Sequence, residues 1–102
     1  MKFLREDYKE YNFNEDNMFD YLNNLIDNLP VRYQDKINEI ENNYEYWTIS
    51  CTSPYGCKKL DSLLSPFVYT EVEIGNYGAY INISKDETNE FIKGLKAISD
   101  KK

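Results

Sequence analysis

The chain contains no histidine, and that absence removes a large share of familiar enzyme chemistry. A Ser-His-Asp or Cys-His arrangement has no general base, and a histidine-bearing zinc site has no ligand. Glycine is scarce. Its four residues, at 56, 75, 78 and 94, do not have the spacing of a phosphate-cradling loop. Two cysteines make no disulfide framework. No apolar run approaches the length of a membrane span, and Met1-Lys2-Phe3-Leu4-Arg5-Glu6-Asp7 lacks the apolar stretch of a signal peptide. These gaps set the expectation of a non-enzymatic protein without catalytic residues, cofactor or metal. The expected compartment is the cytoplasm of a bacterial or phage-infected cell.

Basic residues are also short, twelve Lys and Arg against eighteen acids, for a net charge of −6. Residues 1–45 hold eleven acids and five bases, whereas residues 46–102 hold seven of each, so the imbalance lies wholly in the first half. Between Glu10 and Val31 there is no Lys or Arg at all. Such a chain should repel nucleic-acid and membrane phosphates and be drawn to a basic protein surface. Lys58-Lys59 and Lys101-Lys102 are isolated pairs without an aromatic platform, and they read as solubilising charge.

What the sequence does have is apolar and aromatic mass: 41% hydrophobic, 16% aromatic, with ten tyrosines. That suffices for one ordered domain over residues 1–102. Over residues 1–13, Leu4, Tyr8 and Tyr11 fit one helical face while Tyr11 and Phe13 also fit an extended piece, which reads as an irregular or partly helical lead-in. Asn14, Glu15 and Asp16 then open a helix in which Met18, Tyr21, Leu22, Leu25, Ile26 and Leu29 form an apolar stripe. Pro30 ends that helix or begins the next. Tyr33, Ile37, Ile40 and Tyr44 are spaced 4, 3 and 4, which predicts a second helix from about Val31 to Asn43, with Asp35, Asn38, Glu39 and Asn42 on its outer face.

Alternation over 44–52 predicts a strand with Glu45, Trp47, Ile49 and Cys51 on one side, the Trp47 side inward. Ser53-Pro54-Tyr55-Gly56 reads as a turn, and Leu60, Leu63 and Leu64 as one short helical turn. Alternation over 67–74, the Gly75-Asn76-Tyr77-Gly78 connection and renewed alternation over 79–83 predict an antiparallel hairpin, paired with the Trp47 strand. Ser84 and Glu87 have capping-box spacing ahead of a last helix carrying Phe91, Ile92, Leu95 and Ile98 on one stripe. The expected fold is α+β, in the order α-α-β-β-β-α, with a three-stranded mainly antiparallel sheet.

Chemistry-bearing constellations are few. Glu71 and Glu73 share a strand face, where two carboxylates could serve acid–base or metal work; the plainer role is a solvated face that discourages edge pairing. Cys51 and Cys57 flank a loop short enough for a disulfide, but two free thiols, one of them in the core, are the expectation in a reducing compartment. The acidic surface is the strongest signal. Asp16 and Asp20 are about 6 Å apart along the first helix, and Asp27 lies about 10.5 Å further on, opposite the apolar stripe.

Asp16, Asp20, Asp27, Asp35 and Glu39 are therefore the candidate partner-binding residues, and the expected partner is a basic nucleic-acid-binding protein or nuclease. The expected activity is that of a small inhibitor or adaptor that occludes a DNA or RNA site by mimicking its charge, as phage anti-defence and anti-restriction proteins do. The alternatives are an immunity protein for a basic nuclease toxin, a small carboxylate or thiol enzyme, and a protein that self-associates into homo-oligomers through tyrosine-rich surface.

Overall fold

The computed structural model describes residues 15–101; the lead-in expected over 1–13 and the Asn14 cap lie outside them. The elements run α1 (Glu15–Asp27), α2 (Val31–Gln34), β1 (Ile37–Asn42), β2 (Tyr46–Cys51), α3 (Pro54–Leu64), β3 (Glu71–Gly75), β4 (Gly78–Ser84), a 3-10 turn (Lys85–Glu87) and α4 (Thr88–Ser99). The strands form one antiparallel sheet in the order β1-β2-β4-β3. The α+β class and the pairing of the Trp47 strand with the later hairpin are as expected. The sheet has four strands rather than three, and the helices differ from those expected.

The expected second helix stops after one turn. Pro30 is its N-cap, and Asp35 ends it. Ile37 to Asn42 is instead a strand. The apolar spacing misled because the strand carries a bulge: Ile37 pairs with Cys51 and Glu39 with Ser50, so an extra residue is accommodated between them. A bulge lets two apolar residues three apart share one face, which imitates a helical period. The Asn38 amide marks the bulge by donating to the Cys51 carbonyl at 3.2 Å. Asp35, Asn38, Glu39 and Asn42 therefore do not share a helix face.

The second correction is α3. Ser53 is an N-cap whose hydroxyl accepts from the Gly56 amide at 3.0 Å, and Pro54 stands at the start of the helix, where its missing N–H costs nothing. What read as a turn and a helical fragment is one eleven-residue helix burying Cys57, Leu60 and Leu64. Its end carries the chain through Val68, buried and bonded to the Leu64 carbonyl, so the next strand begins only at Glu71.

The capping box does not form. Ser84 caps the 3-10 turn through the Asp86 amide, and the Glu87 carboxylate accepts instead from the Tyr69 amide at 3.3 Å. Glu87 thus ties the approach to β3 onto the start of α4.

The long helices pack on one side of the sheet. Leu22 and Ile26 from α1, Cys57, Leu60 and Leu64 from α3, and Phe91, Leu95 and Ile98 from α4 meet Ile40, Trp47, Ile49, Cys51, Ala79, Ile81 and Ile83 from the strands. Trp47 is fully buried at the centre, its ring stacked on Phe19 with centroids 6.3 Å apart and the Lys85 ammonium 4.7 Å from its centroid. Its N–H donates to the Thr88 hydroxyl at 2.9 Å, which satisfies the one polar group the indole brings inside. Gly94 permits the approach of α4 to α3, since a Cβ there would stand 3.0 Å from a Leu64 methyl.

Candidate functional site

Register decides what the other side of the sheet carries. Because side chains alternate and opposed residues share a face, the inward set Trp47, Ile49, Ala79, Ile81 and Ile83 leaves Thr48, Ser50, Tyr80 and Asn82 on the outer side. Pairing then lines up two transverse rows. Glu41, Thr48, Asn82 and Glu71 form one, and Glu39, Ser50, Tyr80 and Glu73 the other. Each row ends in a glutamate at both sheet edges. With strands about 4.8 Å apart and same-face neighbours about 6.8 Å apart, the four carboxylate-bearing positions mark a rectangle of about 14 by 7 Å. The four strands contain no Lys or Arg, and their only acids are these four glutamates.

The middle of the face is polar and fixed. Thr48 is buried; its hydroxyl donates to the Asn82 side-chain carbonyl at 2.7 Å and accepts from the Asn43 amide at 2.7 Å. Tyr80 leans along its own strand over Gly78, where a Cβ would come within 2.8 Å of the phenol oxygen. Glu41, Asn43, Thr48, Glu73, Tyr80 and Asn82 enclose a shallow depression of about 240 Å³. Two carboxylates, two side-chain amides and an aromatic ring around an open depression form a surface suited to a cationic side chain.

The sequence-derived candidates are dispersed. Asp20 and Asp27 are exposed on α1, in the helical layer, and Asp16 belongs to the same helix. Asp35 is exposed at the end of α2, its backbone carbonyl accepting from the Thr52 hydroxyl at 3.1 Å. Glu39 is on the open sheet face, on the opposite side from α1. Asp20 and Asp27 are on α1, and Glu39 lies apart from them, with Glu41, Glu71 and Glu73. Sequence reasoning missed that grouping because it needs the pairing of β1, which the bulge disguised.

Cys51 and Cys57 are free and buried. Burial pushes both thiols up from their ordinary pKa, most strongly at Cys51, so at neutral pH each is protonated and a weak nucleophile. Among the described residues no cluster of three or more His, Cys, Asp or Glu could hold a metal ion, and no helix is long and apolar enough to cross a membrane. The chain matches no family model, no curated protein and no solved structure.

Proposed function

We propose that this protein is a small acidic inhibitor or adaptor that docks on a basic surface of a nucleic-acid-handling protein and occludes its DNA or RNA site. The observation that carries this reading is the rectangle of Glu39, Glu41, Glu71 and Glu73 on four strands that themselves contain no Lys or Arg. Its long side of about 14 Å is close to the roughly 12 Å width of a DNA major groove. Lysines and arginines placed to hold the two phosphate rows beside such a groove would meet two carboxylate pairs at a similar separation. Asp16, Asp20 and Asp27 on α1 and the exposed Asp35 add to the long-range field that speeds encounter.

The test is affinity capture of partners from a bacterial lysate on three forms of the chain. One is unaltered, one carries Glu39, Glu41, Glu71 and Glu73 changed to Gln, and one carries Asp16, Asp20 and Asp27 changed to Asn. The expected result is a basic nucleic-acid-binding protein held by the unaltered chain, released by salt or DNA, and lost from the glutamine form. The aspartate-to-asparagine form should retain it with slower capture. Equal retention by the glutamine form would refute docking through the sheet face.

A further inference from the structure

The acidic face ends at β3, and the two edges of the sheet are finished differently. The β1 edge carries a bulge between Ile37 and Glu39. Bulges are a means by which sheet edges are closed to further pairing. The β3 edge has no bulge, and the charges of Glu71 and Glu73, which deter pairing with a neutral or acidic strand, are ones a basic strand would neutralise. All five residues pair in register with β4, the sheet order ends there among the described residues, and every one of the five is exposed. Its approach is held in place by the Tyr69 amide on Glu87 and by the Thr70 hydroxyl on the Asp61 carboxylate.

The two-residue turn makes Gly75 and Gly78 the closing pair of the hairpin. Alternation along an antiparallel ladder then directs the backbone N–H and C=O of Val72 and Ile74 away from β4, towards the open edge. Their side chains lie on the helix side of the sheet yet remain 37% and 45% exposed, while Glu71 and Glu73 stand on the acidic side.

We infer that β3 accepts an added strand from the partner, namely an extended segment with lysine or arginine at alternate positions and apolar residues between them. Opposed residues share a face, so the basic side chains of such a segment meet Glu71 and Glu73 while its apolar ones cover Val72 and Ile74. A second copy of this chain fits poorly. The antiparallel register that uses the whole strand sets Glu73 against Glu73, and like charges directly opposed destabilise a sheet. The inference rests on the proposed docking role and names the form of the partner at one border of the same face.

A capped heptapeptide of alternating lysine and valine, titrated into the full chain, tests this. The readouts are affinity and amide hydrogen exchange. Slower exchange at Val72 and Ile74 is expected. Val72→Pro removes an outward N–H without touching the β4 ladder, and should weaken the peptide about tenfold or more. The same peptide N-methylated along one edge should not bind, an arm that is independent of how the proline variant folds.

A peptide that fails to bind, that leaves both amides exchanging as before, or that binds equally well when methylated would overturn strand addition. Binding that is lost from Glu71→Gln/Glu73→Gln but kept by Val72→Pro would also overturn it, while leaving acidic docking standing. Binding indifferent to both glutamine changes and to salt would count against the docking role itself.

Discussion

Thr48 sits under the acidic face with both hydrogen-bonding capacities of its hydroxyl used, donating to Asn82 and accepting from Asn43. Thr48→Val keeps the shape and leaves two amide side chains without that partner, so a loss of about 1–2 kcal/mol is expected in urea unfolding. Trp47 poses the same question in the core. Trp47→Phe removes the bond to Thr88 and shrinks a fully buried ring, and should cost about 2–3 kcal/mol. The inward placement of Trp47 was legible from alternation alone, whereas its partner Thr88, forty-one residues away, was not. Cys51 and Cys57 make a pH prediction. Their folded pKa values lie above the ordinary 9.0, so the contribution of the buried protonated thiols is complete below that value. It is lost as pH rises above it, because the unfolded chain then releases protons that the folded chain retains. Stability should fall from about pH 9 upward, and Cys51→Ala should flatten that slope in a urea series.

At the scale of elements, the informative case is the stretch from Val31 to Asn42. Tyr33, Ile37 and Ile40 have helical spacing, and the chain takes one turn of helix followed by a bulged strand. Local period could not separate the two, because the bulge becomes visible only when β2 is laid alongside. Asn38→Ala should destabilise by about 1 kcal/mol through loss of the bond that holds the bulge. The other missed element, α3, was legible in principle, since Ser53 followed by Pro54 is a start signal as well as a turn signal, and Cys57, Leu60 and Leu64 continue at helical spacing. Along α4, Gly94→Ala sets helix propensity, a gain of about 1 kcal/mol, against a Cβ 3.0 Å from a buried Leu64 methyl and 3.4 Å from the Phe67 Cβ. Leu64 has little room to move, so overpacking should outweigh propensity, and a thermal melt should show a lower midpoint.

For the whole molecule, the acids considered for docking fall into two separate fields. One runs along α1 with Asp20 and Asp27, and the other is the glutamate rectangle on the far side of the sheet. Only the first was legible beforehand, because it needs nothing beyond helical geometry. The second requires all four strands in register. The two should differ in effect: neutralising the α1 acids should slow association and reduce its salt dependence, whereas neutralising the sheet glutamates should speed dissociation. The most direct measurement is an equilibrium competition, in which a labelled oligonucleotide bound to the captured basic protein is titrated with this chain. The account predicts stoichiometric displacement by the unaltered chain, and displacement at least roughly tenfold weaker with Glu39, Glu41, Glu71 and Glu73 changed to Gln. A ternary complex in which oligonucleotide and chain are bound together, or equal displacement by the glutamine form, would contradict it.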